Sequence, residues 1–150
     1  MCCALSALAQ LGTPPNDEIW YTTTDGKMCR ISSPNDFGTT IKNHKYENGL
    51  GVIAFNEAVT SIGDHAFWSS TSLQSISIPS GVTSIGPYAF NYCTSLQSIS
   101  IPSDSKLTSI GEYAFYRCSF QSISIPSGVT SIGANSFYFC SSLQSISIIS

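Results

Sequence analysis

The chain has 150 residues, a formal net charge of −3, and only 10% charged against 42% hydrophobic residues. That length fits one domain. From position 59 onward Asp64, Asp104, Lys106, Glu112 and Arg117 are the only Asp, Glu, Lys or Arg. With no basic stripe, the composition argues against nucleic acid as a partner. No apolar run reaches the roughly 18 residues of a membrane-spanning helix.

Residues 1–11 read MCCALSALAQL. They lack a basic start and an Ala-x-Ala-like exit, so they make no convincing signal peptide. Leu5, Leu8 and Leu11 fall on one side of a predicted short helix. Residues 12–17 (GTPPND) are a linker. Residues 18–23 and 27–31 are strand-like runs around Asp25-Gly26, a two-residue hairpin signal. After a loop at 33–38, a second hairpin is predicted from 40–46 through Asn48-Gly49 to 52–55.

Residues 59–81 read VTSIGDHAFWSSTSLQSISIPSG, and the pattern returns at 82–106, 107–128 and 129–150. A self-similar period in this range is the mark of a solenoid. Each copy holds a short strand of period 2, as in Leu73-Gln-Ser-Ile76-Ser-Ile78, ended by Pro79 and Gly81. Gly63-Asp-His-Ala66-Phe67 has helical spacing over about one turn, predicting a short helix or 3₁₀ piece outside. Gly63, Gly86, Gly111 and Gly133 precede that piece and are expected to let the backbone turn sharply. One turn cannot bury enough apolar area to offset the entropy of fixing its backbone, so stability has to come from stacking like residues into ladders.

Ile53, Phe55 and Val59 align with Ile76, Ile78 and Val82, which makes 52–58 a half repeat carrying the first rung. Residues 1–51 then form an N-terminal cap of a short helix and β-hairpins, with Trp20 and Tyr21 as its plug. Residues 103–106 add two residues after the third strand, and Cys118-Ser-Phe120 loses one before the fourth. Ile149 stands where proline ended the earlier strands. That end is expected either to continue into a longer array or to pair end to end with another copy.

Cys93, Cys118 and Cys140 share one repeat position, where the first copy has Ser70. A ladder of buried thiols and disulfides between rungs both remain open. Cys2, Cys3 and Cys29 show no metal-ligand spacing, and no metal or cofactor is expected. His44 and His65 are the only histidines. His65 aligns with Tyr88, Tyr113 and Asn135, the place of an exposed repeat variant and not of a positioned base. Gly-rich phosphate loops and paired carboxylates are absent from the sequence, so the chain reads as a non-enzyme.

Two surfaces offer binding residues. The outward strand positions are Gln74, Ser75, Ser77, Gln97, Ser98, Ser100, Gln121, Ser122, Ser124, Gln144, Ser145 and Ser147. This neutral set repeats on every rung and suits a repetitive partner or hydration alone. The outer edge carries Trp68, Tyr88, Tyr92, Tyr113, Tyr116, Tyr138 and Phe139. Tyr and Trp concentrate binding energy, although shielding a thin core would explain them too.

The pattern LQSISIPSGVTSIGPYAFNYC, with its I-P-x-x-V-x-x-I-G-x-x-A-F-x-x-C core, resembles the BspA-like leucine-rich repeats of bacterial surface antigens over residues 52–150. The resemblance implies an α/β fold: a right-handed leucine-rich-repeat solenoid with a parallel β-sheet on the concave face and short helical turns outside. It also implies a cell-surface or secreted adhesion module with protein partners, host matrix glycoproteins such as fibronectin and fibrinogen among them. A structural spacer or self-assembling unit is the alternative, and carbohydrate binding by exposed aromatics is a further one.

Overall fold

The computed structural model describes residues 8 and 10–150. The predicted helix over 1–11, together with Cys2 and Cys3, lies largely outside them. Three strands come first: β1 (Glu18–Thr23), β2 (Ile41–Glu47) and β3 (Leu50–Phe55). The repeats follow as four coils, each with two strands. The first strands of the coils are β4 (Ser61–Ile62), β6 (Ser84–Ile85), β8 (Ser109–Ile110) and β10 (Ser131–Ile132). The second strands are β5 (Leu73–Ser77), β7 (Ser98–Ser100), β9 (Ser122–Pro126) and β11 (Ser145–Ile149).

Every pairing between coils is parallel and joins like with like. Ile62, Ile85, Ile110 and Ile132 form one column. Ile76 faces Ile99, and Ile123 faces Ile146. The β5–β7 and β9–β11 pairs belong to separate sheets. The break between β7 and β9 falls where the sequence adds residues at 103–106 and drops one near Ser119. Inside the coil, Phe67, Phe90, Phe115 and Phe137 stack at 5.2, 5.5 and 5.5 Å between ring centroids, within 14° of parallel.

The outer segments are turns, not the expected helix or 3₁₀ pieces, so the fold is a parallel β-solenoid of leucine-rich-repeat type with almost no helix. Alternate amides explain why. Ala66 N, Trp68 N and Ser70 N close turns onto Gly63, His65 and Phe67 carbonyls. His65 N, Phe67 N and Ser69 N instead reach Pro87, Ala89 and Asn91 carbonyls of the next coil, at 2.8–3.0 Å. A helix would keep all of these bonds within one segment.

The recurrent glycines serve close approach and not left-handed turning. A Cβ on Gly86 would lie 2.9 Å from Gly63 C, and one on Gly111 would lie 2.6 Å from Gly86 C. Neither residue has positive φ. The coils touch here backbone to backbone, and a side chain would wedge them apart.

Cys29, Cys93, Cys118 and Cys140 are free thiols. Cys93, Cys118 and Cys140 donate from Sγ to the Phe67, Phe90 and Phe115 carbonyls of the preceding coil, at 3.1, 3.3 and 2.9 Å. Of the two readings left open by spacing, the thiol ladder is the one present.

The N-terminal strands differ from expectation. β1 lies between β3 and β5 and is antiparallel to both. β3 is therefore not the rung beside β5, although Ile53, Phe55 and Val59 are buried. Beyond β1 the contacts continue backwards along the first coil. Thr24 N bonds Ser72 O, Arg30 N bonds Ser70 Oγ, Ser32 N bonds Ala66 O, and Thr60 N bonds Phe37 O. At the other end Val59 N bonds Asn16 O, and Gly81 N bonds Asn16 Oδ1. Residues 16–38 thus form a complete coil laid on the first one in reverse.

This arrangement accounts for the missing hairpin at Asp25-Gly26. Both edges of β1 are already paired, so residues 27–31 have no strand to join. Lys27 N caps onto Asp25 Oδ1 instead, and the chain moves out along the reversed coil. Asn48 and Gly49, with φ of 53° and 82°, turn β2 into β3 in the manner of a type I′ hairpin. Tyr21 is fully buried, but Trp20 points to the other face, is half-buried and donates to Glu18 Oε2 at 2.7 Å. The plug is Tyr21 with Phe37, whose ring lies 5.8 Å from Phe67 and meets it edge-on at 69°.

Candidate binding surfaces

The strand-face ladder is only partly open. Ser75 and Ser77 are buried, contrary to expectation. Ser75 Oγ is hydrogen-bonded to Thr22 Oγ1 at 2.5 Å, and Leu8 and Gly12 close over the same hollow. Gln74 and Ser98 are half-buried. Gln97, Ser100, Gln121, Ser122, Ser124, Gln144, Ser145 and Ser147 are exposed, and Ser124 and Ser147 hydroxyls meet at 3.1 Å. The open ladder is neutral and uniform.

The outer edge is organised by backbone conformation. In each coil two residues have left-handed φ. One column is His65, Tyr88, Tyr113 and Asn135, with φ of 52–58°. The other is Ser69, Tyr92, Arg117 and Phe139, with φ of 55–61°. Each such residue costs about 1 kcal/mol relative to right-handed backbone. Non-glycine residues persist there only where the surroundings fix them, and such strain clusters at functional surfaces.

The columns hold aromatic rings in set places. His65 stacks on Tyr88 at 5.0 Å, and Tyr88 on Tyr113 at 5.2 Å, within 10° of parallel. Asn135 Nδ2 donates to Tyr113 Oη at 3.0 Å. Burial, then the Glu112 carboxylate and Tyr113, raise the Tyr88 phenol above its ordinary pKa and keep it protonated. Trp68, Tyr92, Tyr138 and Phe139 are exposed, and Tyr88, Tyr113 and Tyr116 half-buried. All seven rings predicted for this edge are on it, and six line one groove; Phe139 lies beside it.

Sequence reading missed Arg117. Its guanidinium carbon sits 5.4 Å from the Tyr92 ring, 5.6 Å from Tyr116 and 5.0 Å from Phe139. Its Nε donates to Tyr116 Oη at 3.4 Å. The one available signal was alignment: Arg117 replaces Tyr92 and Phe139 in the same slot.

Other polar groups serve the core. The buried Tyr21 hydroxyl accepts from Cys29 N at 3.2 Å and meets His44 Nε2 at 2.6 Å. Burial lowers the His44 pKa and raises that of Tyr21. Among the described residues no group of three His, Cys, Asp or Glu is placed to hold a metal, and no helix is long and apolar enough to cross a membrane.

No curated protein matches the chain. Among solved structures, a leucine-rich cell-surface protein from Faecalibacterium prausnitzii is 38% identical, with a TM-score of 0.57 over 61% of this chain and 24% of that one. The pneumococcal vaccine antigen PcpA is 25% identical, with a TM-score of 0.53 over 57% of this chain and 21% of its own. A leucine-rich repeat protein from Bacteroides capillosus shares the fold at 24% identity, with a TM-score of 0.55 over 92% and 98% of the two chains. The chain thus spans about a quarter of the F. prausnitzii protein. The model of the BspA type leucine rich repeat region matches residues 60–150 in six copies. With that match over more than half its length, and coils built as described, this chain belongs to the BspA-type leucine-rich repeat family.

Proposed function

We propose that the chain is a non-enzymatic protein-binding module of a bacterial surface or secreted protein, and that it binds through its outer aromatic edge. The observation behind this reading is the contrast within each coil. Strand positions repeat serine and glutamine, whereas the two left-handed columns read His, Tyr, Tyr, Asn and Ser, Tyr, Arg, Phe from coil to coil. Variation held on a rigid frame is what a discriminating surface needs. The named F. prausnitzii and pneumococcal relatives are a cell-surface protein and a vaccine antigen, which supports a surface setting. In this reading the segment before Val59, β3 included, acts as the N-terminal cap of the solenoid of residues 59–150. Host matrix glycoproteins are the partners to try first.

Surface plasmon resonance over immobilised fibronectin and fibrinogen tests it. Saturable binding that survives high salt, and falls when Tyr92 is replaced by Ser and Tyr113 by Asn, is the expected outcome. Both replacements are residues that other coils carry in those slots, Ser69 and Asn135. A flat response to both glycoproteins removes matrix adhesion. A second reading, end-to-end assembly through the last coil, is favoured by the exposure of Ile146 and Ile148 on β11. Growth of particle size with concentration, abolished by Ile148→Lys, would select it.

A further inference from the structure

We infer that the outer groove takes a proline-rich segment in the polyproline-II conformation, with an acidic side chain set against Arg117. This rests on the reading of the aromatic edge as the contact surface, and names what that surface recognises.

The groove is a hollow of about 570 Å³ between the stacked His65, Tyr88 and Tyr113 rings and the Trp68, Tyr116 and Tyr138 rings. Its walls offer no free strand edge. Tyr88 N, Phe90 N and Tyr92 N bond Glu112, Ala114 and Tyr116 carbonyls, and the next coil repeats the pattern onto Ala134, Ser136 and Tyr138. A peptide cannot add as a strand there, so recognition has to use side chains alone. Polyproline-II segments are bound in that way. Their backbone makes no internal hydrogen bonds, proline has no N–H to satisfy, and they dock into aromatic-lined grooves.

Ring orientation favours peptide over sugar. Saccharides stack on open aromatic faces, but Tyr88 has a ring on each side, which leaves edges and hydroxyls at the surface. Tyr113 Oη accepts from Asn135 Nδ2 and keeps its own proton to donate to a peptide carbonyl. Rings of successive coils along the groove are 5.0, 5.2 and 6.0 Å apart, three intervals over four coils. At about 3.1 Å per residue that length holds about five residues of polyproline II.

Charge sets the remaining term. Arg117 is the only Lys or Arg after Lys106. Three rings fix its guanidinium, and Nε alone is taken by Tyr116, so the two terminal amino groups are left to face a carboxylate. Glu112 lies beside Tyr88 and repels an acid there. Arg30 lies 5.9 Å from the Trp68 ring, whereas three rings hold Arg117, so the acidic side chain is set against the better-fixed of the two guanidiniums.

The test is calorimetric titration of the full chain with a glutamate-containing oligoproline, its lysine counterpart, an alanine counterpart of the glutamate peptide, and sialyllactose. The glutamate oligoproline is expected to bind about tenfold more tightly than the lysine form, the factor one charged hydrogen bond supplies. Arg117→Ser, which installs the residue held by Ser69, should erase that difference, and Tyr113→Asn should weaken both peptides. Equal affinity of Arg117→Ser and the parent for the glutamate form overturns the role of Arg117. Equal binding of the alanine peptide overturns the polyproline assignment, and saturation by sialyllactose with no peptide response assigns the groove to a glycan instead. Binding to a matrix glycoprotein without peptide binding overturns this inference alone and leaves the protein-binding reading standing.

Discussion

The two ends of the coil stack hold the same residue types in the same slots and treat them differently. Ile62 and Ile76 in the first coil are fully buried, whereas Ile132 and Ile146 in the fourth are 49% and 46% exposed. Leu73 is buried and Leu143 half-buried. The reversed coil of residues 16–38 lies on the first coil, with Phe37 packed edge-on against Phe67. Nothing among the described residues lies on the far side of the fourth coil. Burial here belongs to having a neighbour on both sides, which is how stability is shared in a stack whose units touch only the next unit.

That comparison can be broken most sharply in the phenylalanine column. Phe90→Ala removes a ring stacked on both faces and should cost about 3–5 kcal/mol in urea unfolding. Phe137→Ala, with one stacked face and a half-buried ring, should cost clearly less. Equal losses would mean that the stack does not distribute its stability by neighbours. Gly111→Ala comes next, at about 1–3 kcal/mol, because its Cβ would press on Gly86 C. Gly128→Ala, whose Cβ would meet only Leu107 O at 3.4 Å, serves as its mild counterpart in the same denaturation series.

Thiols give a smaller effect. Cys118→Ala loses the bond to Phe90 O and should cost about 1 kcal/mol, while Cys118→Ser keeps a donor and costs less, as Ser70 already occupies that slot. Mass spectrometry of thiol labelling separates the ends again. Burial raises the pKa of Cys93, Cys118 and Cys140, and takes the Cys29 thiol up to about 12. Of these four, Cys140, on the coil with one neighbour, should label first.

The smallest effect is confined to the covered end. Burial depresses the His44 pKa, so the folded chain holds that ring neutral. The unfolded chain binds the proton more readily, near the ordinary value of about 6.5. Stability from this group is complete above that pH and is lost as pH falls through it toward the lower folded value. Melting curves should drop slightly in that window, and His44→Gln should flatten them. A drop that persists in the variant would place the titration elsewhere.

The array was legible because its apolar slots recur at a fixed period, and like residues stack on like. The reversed coil was not. A segment that runs backwards has no forward alignment to its neighbour, so residues 16–38 carry no visible likeness to the repeats. Asp25-Gly26 misled for a related reason: a local turn signal cannot reveal that both edges of β1 are paired with strands distant in sequence. The strands β4, β6, β8 and β10 have two residues each, too short for any periodicity. On the outer edge the aromatic positions stood out as variation over a constant frame. Their left-handed backbone did not, because Tyr, Arg and Phe are not residues that favour positive φ, and only His65 and Asn135 hinted at it. Ser75 and Ser77 looked solvent-facing by alternation and are covered by Thr22 and Leu8 from outside the repeat.

Each forward coil touches only the next one, so the stack can be lengthened without redesigning its interior. A unit inserted among the forward coils meets the neighbours it was built for on both sides, and the chain folds longer by one layer. The reversed coil cannot take part. It fits a partner of opposite direction, so a unit inserted ahead of it would find no matching ladder. Lengthening is therefore accommodated among the forward coils and not across the face that the reversed coil covers.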